Sequence, residues 1–283
     1  MRRMDRKLRN CLAAATALAV GALLAGGCVS THSTREETAA ALDRVLAGST
    51  RSEANRARDI YRHPRETLLF FGVRPELQVA EIWPEPGWYT EILAPLLKPN
   101  GTYLAVTQAP NPASRFVTET EARFDNFLAQ HASDFGSVQR SSLDATGADI
   151  AAPNSLDLIL TFRNLHNWLE DGSAPRVLAA FFRALKPGGV LGVEDHRAAA
   201  GAALDEHARN GYVNEDFAVR LIESAGFRLV AKSEINSNPN DTKDYEQGVW
   251  TLPPTFRLGD KDRARYAAIG ESDRFTLKFI KPR

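Results

Sequence analysis

From residue 77 onward, short apolar runs alternate with amphipathic segments of helical period, and this alternation narrows the fold to one class. The runs at 77–83 (LQVAEIW), 101–107 (GTYLAVT), 137–142 (SVQRSS), 155–162 (SLDLILTF) and 190–198 (VLGVEDHRA) read as strands. Between them, 88–98, 114–136 and 174–185 carry apolar residues on one helical stripe, for example Val177, Leu178, Phe181, Phe182 and Leu185. Strand following helix in this way builds a parallel sheet with helices on both faces. A helix over 214–227, capped by Asn214, precedes the last two strands at 228–235 and 274–281. No apolar segment of helix length is clearly placed between those two, so they are expected to pair antiparallel. The stretch 236–273 is a polar insertion with Trp250, Pro253 and Pro254.

The residues before the first strand divide into three. Arg2, Arg3, Arg6, Lys7 and Arg9 precede an uncharged apolar stretch at 11–25. That stretch is short of the roughly 20 residues a membrane span needs. It ends in LAGGC, Leu24 to Cys28, which resembles a bacterial lipoprotein signal, although the leucine stands four places before the cysteine where three is usual. The expectation is a signal over 1–27, lipidation at Cys28 with attachment to a membrane, and export to the periplasm. Residues 28–52 read as a tether with a weak helix, and 53–283 as the folded domain. The other cysteine, Cys11, lies inside the signal, so no internal disulfide or downstream thiol chemistry is expected. Charge balances to zero and 43 % of residues are apolar, which excludes a disordered chain and gives no sign of nucleic-acid binding.

Four stretches carry a resemblance: EIWPEPGWYTEILAP, LILTFRNLHNW, LKPGGVLGVEDHRA and ESDRFTLKFIKP. In this order they resemble the class I S-adenosylmethionine-dependent methyltransferases, and more narrowly a group of exported bacterial proteins described as predicted methyltransferases. The resemblance covers roughly residues 60–283. It implies a Rossmann-like, doubly wound α/β fold with a seven-stranded sheet and a reversed last strand. It also implies S-adenosylmethionine at the carboxyl ends of the first strands, where open α/β sheets bind ligands.

Within that resemblance the loop after the first strand is glycine-poor. Only Gly87 remains, and Glu85 and Pro86 stand where glycines are common. Glu85 would repel the pyrophosphate of a dinucleotide, whereas S-adenosylmethionine carries a sulfonium and an ammonium. A structural turn that has lost its ligand is the competing reading of this loop. Glu81 is implied to organise the loop and the amino-acid end of the cofactor. Gln108 stands where an acid grips the ribose, and it binds hydroxyls without charge assistance. Asp144 falls where the adenine amino group is read, and it suits a turn equally well. The run after the strongest strand, with Arg163, Asn164 and His166, holds more polar groups than a loop needs; Arg163 and Asn164 are assigned to the cofactor. His166 suits a general base, and Asp195 and His196 end another strand on the same edge, so these three are the catalytic candidates. A His–Asp pair also suggests a metal, but a metal needs three or more convergent ligands and none is assigned. The expected reaction is methyl transfer to a small-molecule acceptor. The alternative is a catalytically silent periplasmic ligand-binding protein, or an interaction lipoprotein, on the same fold; export favours it, because the methyl donor is made in the cytosol.

Overall fold

The computed structural model describes residues 32–283; the signal and Cys28 lie outside the described residues. The chain runs through α1 (Arg35–Ala47), α2 (Glu53–Arg56), α3 (Asp59–Arg62), α4 (Pro64–Phe71), β1 (Gln78–Ile82), α5 (Thr90–Leu97), β2 (Thr102–Gln108), α6 (Arg115–Gln130) and α7 (Ala132–Phe135). It continues through β3 (Gln139–Leu143), β4 (Leu156–Phe162), α8 (Leu165–Glu170), α9 (Ala174–Ala184), β5 (Leu185–His196), α10 (Glu215–Ser224), β6 (Arg228–Ser233), α11 (Arg263–Ile269) and β7 (Arg274–Ile280). The strands form one sheet in the order β3-β2-β1-β4-β5-β7-β6. The pairs β3/β2, β2/β1, β1/β4 and β4/β5 are parallel, while β7 runs antiparallel to both β5 and β6. The expected doubly wound sheet with a reversed last strand is therefore present.

Both faces of the sheet are covered, which is why the central strands read as continuous apolar runs. Ala80, Ile82, Ile159 and Val193 face one layer, where Trp168, Leu178 and Phe181 of α8 and α9 pack. Val79, Ala105, Leu158 and Leu160 face the other, against Leu42, Phe71, Ile92 and Phe124 from α1, α4, α5 and α6.

Four boundaries differ from expectation. The tether over 28–52 is not free where it is described: Thr34 closes a capping box with Glu37, and α1 then buries Thr38 and Leu42 against the domain. The long helix at 114–136 breaks at His131 into α6 and α7. The KPGG turn is absorbed into β5 as an irregularity in its pairing with β4, between Leu156 and Leu158. The run after β4 is not a loop but the short helix α8, entered through Asn164.

Candidate active site

A cavity of about 430 Å³ opens at the carboxyl ends of β1 and β4. Its floor is Ile82, Trp83 and Glu81 from β1 and its loop, with Phe162 and Arg163 from β4. Arg58 and Arg62 form one wall. The insertion covers it with Trp250, Pro253 and Pro254, and brings in Glu271 and Ser272. Parallel strands part at their carboxyl ends where the chain turns to opposite faces, and this is where such a sheet has room for a ligand.

Two non-glycine residues turn left-handed here, Trp83 (φ 50°) and Arg163 (φ 60°). Each first makes one bond past its strand: Trp83 N donates to Val106 O at 2.7 Å, and Arg163 N to Glu194 O at 2.7 Å. Left-handed backbone is unfavourable for such bulky side chains and tends to be retained where surrounding structure enforces it, often at functional sites. The turn lays Trp83 edge-on to Trp168, with ring centroids 5.5 Å apart, and directs Arg163 toward Glu194. Asn164 ties the two strand ends together: its Nδ2 donates to Ile82 O at 2.8 Å and to Thr161 Oγ1 at 3.2 Å. Its amide is thus committed to the scaffold although it lines the cavity.

The three catalytic candidates come together. Asp195 is fully buried at the end of β5 and accepts from His166 N (3.1 Å), from the His166 ring at Nδ1 (2.9 Å) and from His196 N (2.7 Å). A buried carboxylate at Nδ1 keeps the proton on that nitrogen, so the lone pair of His166 sits on Nε2. The His196 Nδ1 lies 2.5 Å from Ser272 Oγ. Both rings line the cavity, and no hydrogen bond among the described residues occupies either Nε2. Burial, together with the positive charges of Arg163, Arg274 and Arg62 nearby, pushes the pKa of His196 well below its ordinary value, so its ring is neutral at pH 7. His166, Asp195 and His196 offer donor atoms within 4.8 Å of one another. Both Asp195 oxygens are already taken by N–H groups, and the surroundings are rich in guanidinium, so the cluster is built to orient imidazoles rather than to hold a cation.

Behind the wall lies a buried ion cluster. Glu271 binds Arg58 Nε (2.7 Å), Arg62 Nε (2.9 Å) and Arg274 Nη1 (3.3 Å). Arg274 Nη1 also reaches Glu194 at 3.0 Å. Burial works to raise the Glu271 pKa, but the guanidiniums of Arg62, Arg274, Arg58 and Arg163 outweigh it and hold the carboxyl at about 2. Glu81 is the opposite case. Burial pushes its pKa up to about 8, against a 2.6 Å hydrogen bond from the Tyr103 hydroxyl, so it is protonated at neutral pH. Glu85 is raised to about 7 by burial and by Glu121 of α6.

The remaining cofactor candidates are placed elsewhere. Gly87 is left-handed (φ 101°), and a Cβ there would stand 2.5 Å from Phe127 of α6. The glycine is required by helix packing and does not line the cavity. Gln108 ends β2 opposite Leu143, also away from the cavity lining. Asp144 Oδ1 accepts from Thr146 N (2.9 Å) and Thr146 Oγ1 (2.5 Å), so it is a turn residue. Of these three, only Asp144 has its side chain committed within its own loop. Conversely, Arg58, Arg62, Tyr89 and Glu271 line the cavity, and the sequence patterns above do not mark them. Arg58 and Arg62 stand four apart, one helical turn, and that spacing was the available signal.

No family model and no curated relative matches the chain, but solved structures do. A SAM-dependent methyltransferase from Aquifex aeolicus is 14 % identical and superposes with a TM-score of 0.54, over 80 % of this chain and 93 % of that one. The [4+2]-cyclase SpnF is 16 % identical at a TM-score of 0.54, over 87 % of this chain and 93 % of its own. Haemonchus contortus phosphoethanolamine N-methyltransferase 2, in complex with S-adenosyl-L-methionine, is 16 % identical at 0.54, over 88 % of this chain and 58 % of that one. At these identities the likeness speaks to architecture, and with the strand order above it leads to one statement: the chain has the class I S-adenosylmethionine-dependent methyltransferase fold.

Proposed function

We propose that the protein transfers a methyl group from S-adenosylmethionine to a small-molecule acceptor, with His166 as the general base. The observation that carries this reading is the grip of buried Asp195 on both the backbone and the ring of His166, which leaves Nε2 free in a cavity at the sheet's ligand-binding edge. The residues fit the methionine end of the cofactor: the cavity offers guanidiniums for a carboxylate, and neutral Glu81 adds no competing charge. They fit the adenosine end poorly, since Gln108 brings no charge and Asp144 is spent on Thr146. When bound, S-adenosylmethionine supplies an electrophilic methyl on a sulfonium. The protein's own part is to hold the acceptor in line, exclude water beneath Trp250, and take the acceptor's proton on His166 Nε2, with Asp195 stabilising the imidazolium.

Calorimetric titration with S-adenosylmethionine and its demethylated product, with NAD as control, tests the reading together with label transfer from methyl-labelled donor. His166→Asn is expected to leave cofactor binding intact and lower methyl transfer by about 10²–10⁴-fold. A second reading, a catalytically silent ligand-binding protein, is favoured by the commitment of Asp144 to Thr146; absence of cofactor binding selects it. Export with lipidation at Cys28 is part of the same proposal, supported by the arginine-led apolar stretch before LAGGC. Mass spectrometry of the mature N-terminus checks it, and a retained Met1 rules it out.

A further inference from the structure

We propose that Tyr89, Arg58, Arg62 and Arg163 form an oxyanion subsite in the cavity that holds a carboxylate or phosphate group of the bound ligand. The inference rests on the methyltransferase reading only in taking this cavity as the ligand site. Tyr89 lines the cavity and is 2 % exposed, and its hydroxyl has no hydrogen-bond partner among the described residues. The ring is fixed by stacking on Phe162, centroids 3.7 Å apart, and by an edge contact with Trp88 at 4.6 Å. A buried, immobile, unpaired hydroxyl calls for an acceptor from outside the chain.

The guanidiniums point the same way. Arg62 is 3 % exposed and uses only its Nε, on Glu271; no hydrogen bond among the described residues reaches either Nη. Its charge lies over the Trp88 ring, 4.7 Å from the centroid, which fixes the plane of the group. Arg58 likewise uses Nε on Glu271, and its Nη2 is buried without a partner among the described residues. Arg163 has only a 3.5 Å approach to Glu194, at the limit of a hydrogen bond. With Arg274 behind them, four guanidiniums face the carboxylates of Glu271 and Glu194, while Glu81 keeps its proton. The surplus is positive and desolvated, and planar guanidiniums with free N–H pairs match oxyanions. Burial, then repulsion from Arg163, works against the charge on Arg62, and a bound anion relieves both.

Two ligands carry such a group, the methionine carboxylate of the cofactor and an acidic acceptor. Calorimetric titration of the protein with inorganic phosphate and with succinate, in low-salt buffer at pH 7, tests the subsite. Tyr89→Phe removes a hydroxyl that bonds nothing among the described residues, so it leaves folding intact. It is expected to weaken binding about fivefold. Arg62→Gln is expected to weaken it by at least about tenfold, and Arg140→Gln, an exposed pair on β3, to match the wild type. No heat with the wild type, or equal affinity in Tyr89→Phe and Arg62→Gln, overturns the proposal. Repeating the titration with saturating S-adenosylhomocysteine separates the sources: displaced phosphate assigns the subsite to the methionine carboxylate, retained phosphate to the acceptor. Phosphate binding without S-adenosylhomocysteine binding sinks the methyltransferase reading and leaves the subsite standing, and the reverse sinks the subsite alone.

Discussion

The carboxyl edge of the sheet has two halves that were built differently. Over β1, β4 and β5, charged and polar groups are buried and gathered at a cavity: Asp195 with His166, Glu271 with three arginines, and Tyr89 with a hydroxyl unpartnered among the described residues. Over β2 and β3, Asp144 is spent on Thr146, and Arg140, nearer the amino end of β3, pairs at the surface with Glu121 and Asp125. A shared architecture supplies the edge, but the groups gathered around a cavity lie on the β1, β4 and β5 half.

The largest expected effect contrasts the ion pairs of the two halves. Arg274→Leu strands Glu194 and Glu271 in the interior and should lower stability by about 3–5 kcal/mol. Arg140→Leu, whose partners are reached by solvent, should cost less than about 1 kcal/mol. Urea unfolding of both variants measures this, and equal losses would erase the distinction.

The next contrast is one of pH. Glu81 has a folded pKa of about 8 against an ordinary 4.5, so its contribution is complete below pH 4.5 and lost as the pH rises to 8. That loss is on the order of 4 kcal/mol. Glu271, held at about 2, behaves inversely: its contribution is present above pH 4.5 and fades as the pH falls toward 2. Glu81→Gln should therefore flatten the decline between pH 5 and 8.5, with Gln still accepting from Tyr103. Unfolding curves at the two pH values decide it; an unchanged slope would mean Glu81 ionises freely.

The smallest effects belong to the β2–β3 half. Gln108→Asp should tighten S-adenosylmethionine binding about three- to tenfold if that half receives the ribose, through charge-assisted hydrogen bonds. Asp144→Asn should change affinity by less than about twofold, because its oxygen serves Thr146. A large loss with Asp144→Asn would return the adenine-reading role to that residue and make the two halves alike.

The sheet was legible in the chain because its strands are buried on both faces: Val79 and Ala80 enter opposite cores, so the whole run is apolar. His166, Asp195 and His196 were legible because polar groups crowd the ends of buried strands. Helix α8 was not, since Asn164 and His166 look like loop residues until Asp195 takes the His166 N–H from 29 residues away. The spacing of Arg58 and Arg62 was visible, but their partner was not, since Glu271 lies 209 residues beyond Arg62. The contact of Gly87 with Phe127 was not legible, because a glycine packed against a ring looks, in one sequence, like a glycine set against a ligand.

The arginine wall has a consequence for modularity. A chain trimmed to begin at β1 would still own every strand of the sheet, yet would lack Arg58 and Arg62. Trp88 would then lose the two cations, Arg51 and Arg62, that lie against its ring. Deleting the insertion would likewise spare the sheet and remove Glu271, Ser272 and Trp250. The unit that can be inherited as a scaffold is therefore smaller than the unit that can be inherited as a binding site. Recombination along strand boundaries would pass on the architecture and leave its chemistry behind.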